Sequence, residues 1–336
     1  MKMPDKKIEL VHLQLTNKCN LRCHFCGQWG SKGFFSKSKG TGLKLTDWKN
    51  VIDSLADYGS SVGRRPSVML WGGEPLLYPE FENIARYLRA YEFELGIVTN
   101  GVLLDKYSDF VKNEFQSVYI SIDGPKEIHD SIRGKGIFEK VIKNVRLLKG
   151  GNAKVIFMTT VCPENIEILP DLPYMLDASG PDKILLHELI YLDSREIVNY
   201  KGWLRSQFGI DSEKIDSWHM DLPPDYEENK SKQLKKMFQR LKMLPSKAPV
   251  EYIPHCVAAG KEYCLSPFRH LHVTWEGSVL FCTDFYDFSA GNVRNENLID
   301  IWNGKLAEDF RQEVMRGNCP TCNHCAWKSN RHYSLD

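Results

Sequence analysis

Through the first 190 residues, short runs rich in Val, Ile, Leu, Phe and Tyr alternate with longer stretches whose apolar positions recur every three or four residues. The short runs are Leu10–Leu15, Ser67–Trp71, Glu94–Thr99, Ser117–Ile122, Val155–Val161 and Ile184–Ile190. Turn residues or charges bound each of them, which predicts β-strands. The amphipathic stretches predict helices over Trp48–Gly59, with Thr46 as N-cap, and over Pro79–Tyr91, Tyr107–Glu114 and Phe138–Lys149. Strands that alternate with helices at this spacing pair in parallel, with the helices as crossovers. Six such units predict an α/β fold, a partial (β/α)6 barrel rather than a closed one of eight units.

The rhythm breaks after Tyr191. Residues 196–255 read as a charged, largely helical linker, with a polar turn at Pro223-Pro224. From Cys256 the chain turns cysteine-rich, and His270–Thr274 with Ser278–Phe281 predict a hairpin around Glu276-Gly277. The expected division is therefore a barrel over 1–195, the linker, and a small domain over 256–336 whose thin core needs a metal staple.

Composition narrows the class. The chain has 336 residues and a formal net charge of +1, which supplies no field for nucleic acid or an anionic membrane. Its charged start lacks the apolar core of a signal peptide, and no apolar run reaches spanning length, so a cytoplasmic protein is expected. The ten cysteines then speak for metal or redox chemistry rather than disulfides. They cluster as Cys19, Cys23 and Cys26, then as five between Cys264 and Cys325, leaving Cys162 and Cys256 apart.

The first cluster, C-x3-C-x2-C, follows the first strand. Three thiolates are one short of the four that fill a cubic [4Fe–4S] cluster, which leaves an iron open to a ligand. The alternative is zinc, with His24 as a fourth ligand. After the second strand comes Trp71-Gly72-Gly73-Glu74-Pro75. Its glycines allow a ligand close to the backbone, and Glu74 sets a carboxylate at the end of the sheet where such folds bind ligands. The alternative is a plain turn with a solvated Glu.

Together with Thr99-Asn100-Gly101 after the third strand and Ser121-Ile122-Asp123-Gly124 after the fourth, these motifs resemble the radical S-adenosylmethionine (radical SAM) superfamily over residues 8–190. The resemblance implies that Cys19, Cys23 and Cys26 hold three irons, and that S-adenosylmethionine chelates the fourth. Glu74, within the Gly72, Gly73, Glu74, Pro75 turn, would accept from its ammonium. Ser121 and Asp123 would reach the ribose, Asn100 would belong to the same site, and Phe25 would pack near the adenine or simply anchor the loop. Arg133 would face the methionine carboxylate or form a surface salt bridge. One electron would cleave the sulfonium, and the resulting deoxyadenosyl radical would take a substrate hydrogen. A one-electron donor such as flavodoxin or ferredoxin is the implied partner.

The C-terminal Cys264-x12-Gly277-x4-Cys282, followed by Cys319-x2-Cys322 and Cys325, resembles the SPASM and twitch auxiliary-cluster domains. A full SPASM domain carries seven ligating cysteines, so the shorter twitch form with one auxiliary [4Fe–4S] cluster is expected. Its ligands would be Cys264, Cys282, Cys319 and Cys322, with Cys325 as alternative to Cys322. A four-cysteine zinc ribbon is the bland reading. The whole is then a partial (β/α)6 TIM-like barrel with a small C-terminal twitch/SPASM-like iron–sulfur domain. The spacing resembles that of cyclitol and aminosugar dehydrogenases and epimerases. That implies oxidation or epimerisation of a small polyol, with the auxiliary cluster as electron acceptor. Cys256, Cys325 and Cys162 are candidate hydrogen donors, or buried small hydrophobes. His187 and Glu188 are candidate bases at the barrel mouth. The Lys230–Lys242 stretch reads as a solvated helix face. The rival substrate is a ribosomally made peptide. That reading is weakened because the chain starts almost at the cluster loop, with no span for a leader-binding domain. A non-catalytic zinc module is a further alternative.

Overall fold

The computed structural model describes residues 3–37, 40–254, 264–282, 284–324 and 333–334. The predicted strands are all present, with ends within two residues of expectation: β1 Leu10–Thr16, β2 Ser67–Gly72, β3 Leu95–Thr99, β4 Ser117–Ser121, β5 Lys154–Val161 and β6 Lys183–Glu188. They pair in parallel in chain order. Helices α1 Leu45–Val62, α2 Phe81–Ala90, α3 Leu104–Glu114, α4 Lys126–Arg133, α5 Ile137–Val145 and α6 Leu172–Asp177 fill the crossovers. The first helix starts earlier than its predicted Thr46 cap. The Lys44 N–H is capped instead by the Asp47 carboxylate at 2.8 Å, which reaches back one turn.

Alternation along the strands sets two faces. In β6, Ile184, Leu186 and Glu188 are buried while Lys183, Leu185 and His187 are partly open. The same parity puts Val11, Leu13, Val68 and Leu70 against the outer helices. The opposite parity lines the barrel lumen.

Two additions extend the six-stranded barrel. β7, Val250–Ile253, joins β6 in parallel. It was hidden in the linker because four residues are too few to show a period, and Glu251, paired with Lys183, masks the run. Before it come α7 Ser194–Phe208 and α8 Tyr226–Met243. The predicted hairpin is β8 His270–Val273 with β9 Ser278–Leu280, which are antiparallel to each other. β8 also pairs in parallel with β1, His12 opposite His272. With β10 Gly291–Asn292 and β11 Tyr333–Ser334, one sheet of eleven strands runs β10-β9-β8-β1-β2-β3-β4-β5-β6-β7-β11. α9 Ser266–Arg269, α10 Leu298–Asn303 and α11 Lys305–Arg316 follow the hairpin's side of the molecule. One apolar core runs from Val11 and Leu55 through Leu271 to Trp302 and Phe310. Among the described residues, no helix is long and apolar enough to cross a membrane.

Candidate iron–sulfur and nucleotide site

The cysteine loop leaves the C-terminal end of β1. Cys23 and Cys26 close a turn, Cys26 N to Cys23 O at 3.1 Å. Each sulfur faces an N–H donor: Leu21 N at 3.4 Å from Cys19 Sγ, Trp29 N at 3.4 Å from Cys26 Sγ, and Arg133 Nη1 at 3.8 Å from Cys23 Sγ. Burial pushes the Cys19 thiol up to about 11 and raises that of Cys23, where Arg133 opposes it. His24 pairs with Glu164 at 2.7 Å, so it is not drawn toward the thiols as a zinc ligand. Among the described residues, no three His, Cys, Asp or Glu side chains are gathered to hold a single ion.

The glycines of the second motif have a role not foreseen. Gly73 N donates to Thr16 O at 2.9 Å and Glu74 N to Lys18 O at 2.7 Å, so the end of β2 is stitched to the cysteine loop. A Cβ on Gly73 would collide with the Lys18 carbonyl, and one on Gly72, at φ +154, with that of Thr16. The backbone they admit is the loop's own. Pro75 opens the 3-10 turn Pro75–Leu77 that ends this approach.

Glu74 is fully buried, not solvated. Its Oε1 accepts from Thr99 Oγ1 at 2.8 Å and Leu76 N at 3.2 Å, and its Oε2 from Asn100 N at 2.8 Å. Burial pushes its carboxyl up to about 7 against those three bonds. A carboxylate has about four acceptor positions, so one remains for a further donor. Asn100 also bridges back to the loop through Asn20 Oδ1 at 2.8 Å. Ser121 ends β4, buried beside this site.

Asp123 is tied into the protein on both sides of its carboxylate. Its Oδ2 accepts from Arg133 Nε at 2.6 Å and its Oδ1 from Thr160 N at 3.0 Å, so both oxygens are engaged within the protein. Arg133 is correspondingly not a surface salt bridge, because its side chain is only 10% exposed. Phe25 packs with Ile132, Cys162 and Leu189. It helps line a cavity of about 450 Å³ that reaches from Cys26 and Glu164 to His219 and Met220. The floor of that cavity is apolar, and its rim carries Lys32 Nζ at 3.2 Å from His219 Nδ1. Residues 217–223 gave no motif or period to announce them.

These donors fit a [4Fe–4S] cluster with S-adenosylmethionine. Three thiols lie on one loop, each sulfur meets an N–H, and a buried carboxylate beside them keeps one acceptor position. The four expected auxiliary thiols lie near enough to raise one another's ionisation cost at Cys322. Cys322 hydrogen-bonds Cys319 and is raised by it, and its field is shared with Cys264 and Cys282. Ser266 N lies 3.4 Å from Cys264 Sγ and Phe285 N 3.4 Å from Cys282 Sγ. Cys256 and Cys325 lie outside the described residues.

Two sequence expectations change with the alternation of β6. His187 lies on the lumen face, its Nδ1 2.8 Å from Glu188 O. Glu188 faces the other way, toward Lys230 of α8 at 3.4 Å and the Tyr252 hydroxyl. Adjacent strand residues cannot both line the mouth. Lys230 is itself buried, although Lys232, Lys235, Lys236 and Lys242 are exposed as expected. Cys162 is fully buried in the Phe25 group, and burial raises its thiol.

Comparison with known proteins agrees with this geometry. Residues 13–172 match the Radical SAM superfamily, and residues 264–326 match SPASM, an iron-sulfur cluster-binding domain. The AdoMet-dependent heme synthase of Methanosarcina barkeri is 27% identical over 341 residues, covering 97% of this chain and 92% of that protein. The antilisterial bacteriocin subtilosin biosynthesis protein AlbA of Bacillus subtilis is 25% identical over 326 residues, covering 93% of this chain and 65% of AlbA. Among solved structures, Streptococcus suis SuiB bound to S-adenosylmethionine has a TM-score of 0.67 at 13% identity, over 95% of this chain and 72% of that one.

Proposed function

This chain belongs to the radical SAM superfamily, in the branch with a C-terminal SPASM iron–sulfur domain, and on that premise we propose that it matures a ribosomally made peptide. The observation that carries the reading is the cavity of about 450 Å³ beside Cys26, with an apolar floor and a charged, solvent-facing rim. Such a cleft suits one side chain of a longer polymer whose remainder stays outside. The likeness to a bacteriocin biosynthesis protein over 93% of this chain supports it. Oxidation of a small polyol, the sequence-based expectation, draws no support from these relatives.

When bound, the cluster and S-adenosylmethionine supply hydrogen-atom abstraction from an unactivated carbon. The chain's own residues do the rest. Cys19, Cys23 and Cys26 would hold the cluster, and Glu74, with its remaining acceptor position, would receive the ammonium of the nucleotide. Phe25 and Leu189 keep water from the nucleoside side. Cys264, Cys282, Cys319 and Cys322 would hold an auxiliary cluster, which would supply one-electron chemistry when bound.

A second reading, a tetrapyrrole substrate, is favoured by the near end-to-end match to the heme synthase. Lys32, His24 and His219 at the rim would then face carboxylates. One experiment separates the readings. Anaerobic protein is given S-adenosylmethionine, a reductant, and either short peptides encoded beside the gene, iron coproporphyrin or a cyclitol. Peptide-dependent 5′-deoxyadenosine, with loss of two hydrogens or uptake of solvent deuterium by the peptide, is the expected result. Stimulation by the porphyrin or the cyclitol alone overturns it.

A further inference from the structure

Arg133 closes α4 and turns inward, with its side chain 10% exposed. Its Nε is clamped on Asp123 Oδ2 at 2.6 Å. Asp123 cannot swing away. Its Oδ1 accepts from Thr160 N at 3.0 Å, and its own N–H donates to His129 Nδ1 at 3.2 Å. The clamp leaves Nη1 aimed at the loop, 3.8 Å from Cys23 Sγ. The pair is therefore a buried dipole whose positive end meets one of the three sulfurs.

We propose that Arg133 sets the reduction potential of the first cluster through the Cys23 sulfur, holding it higher than the bare thiolate loop would. A thiolate that accepts an N–H beside a positive charge donates less charge to iron, so an added electron is less repelled. Hydrogen bonds to sulfur and local net charge are established levers on such potentials. Low-dielectric surroundings strengthen the effect. The inference depends on the cluster and not on which substrate is used.

The competing role for Arg133 is a grip on the carboxylate of S-adenosylmethionine, and the two separate when that ligand is left out. The holoprotein with both clusters is titrated with redox mediators and followed by electron paramagnetic resonance, first without S-adenosylmethionine. The signal that changes on later addition of the ligand identifies the first cluster. Arg133→Gln should move its midpoint to more negative potential, Arg133→Lys should fall between, and the auxiliary midpoint should stay put. An unchanged midpoint in Arg133→Gln, or a shift seen only with the ligand present, overturns the proposal. A second measurement needs no variant to fold. Wild-type protein labelled with 15N-arginine and reduced should show a 15N hyperfine coupling to the first cluster, absent from unlabelled wild-type protein. Absence of that coupling in the wild type overturns the proposal as well.

Discussion

Glu74 is a buried carboxyl held at about 7, against an ordinary 4.5, by loss of water that three hydrogen bonds only partly offset. The sign of its effect on stability follows. The unfolded chain loses this proton first, so stability is intact below about 4.5 and falls as pH rises toward about 7. The loss is on the order of 3 kcal/mol. Glu74→Gln should flatten this part of the pH–stability curve in denaturant melts of the cluster-free protein. Ligand binding should run the other way, because only the ionised carboxyl accepts an ammonium well. Affinity for S-adenosylmethionine should rise between pH 6 and 8 in the wild type. Glu74→Gln should weaken it roughly 10- to 100-fold, as loss of a charged hydrogen bond does. At this scale the motif letters announced which residues gather, but not whom they touch. The partners of Glu74 come from Thr99 and Asn100 one strand over, and Asp123 is captured by Arg133. Both depend on register, which the local sequence does not carry. The opposite facings of His187 and Glu188, by contrast, were legible from the two-residue period alone.

Elements dock here through positions where bulk or charge has no slack. Gly73 is the contact between the end of β2 and the cysteine loop, and a methyl there meets the Lys18 carbonyl. Gly73→Ala should therefore push the loop from its seat and lower the iron content by about four atoms per chain, leaving the auxiliary complement. Iron and sulfide analysis after anaerobic purification reads this directly, and full retention would refute the docking role. On the outer face, α8 is tied to β6 by Lys230 and Glu188, whose side chains are 5% and 6% exposed. Lys230→Met removes the ammonium that faces the buried Glu188 carboxylate and should cost about 3 kcal/mol in urea melts. Adding Glu188→Gln should restore much of it, and the double variant should still cleave S-adenosylmethionine at the wild-type rate, since Glu188 faces away from the lumen. The strand centres and those of α1, α2, α3 and α5 were readable from periodicity, whereas the short α4 and α6 were not. β7 was not, being too short, and neither was buried Lys230, which sits among exposed lysines on one helix.

For the whole molecule, the cysteine tally limits the metal content. With three thiols assigned to the first cluster and four to the auxiliary one in the proposal above, only Cys162, Cys256 and Cys325 of the ten remain. Cys162 is buried in an apolar group with Phe25, Ile132 and Leu189. A second auxiliary cluster with four thiolates is thereby short of ligands, so the holoprotein should carry about eight irons rather than twelve. Cys162→Ser should leave that number unchanged. The order and spacing of motifs were enough to read the superfamily and the barrel. What they could not convey was that the C-terminal hairpin completes the barrel's own sheet, because parallel pairing between distant segments has no neighbouring signature. β1 lies between β2 and β8, with Leu10 opposite both Ser67 and His270. Among the described strands, the first in chain order thus waits on one flank for the eighth to be synthesised. Until release, that flank offers bare amide and carbonyl groups to any passing chain. Truncation before His270 would leave that edge of β1 without its β8 neighbour and open to pairing with another chain.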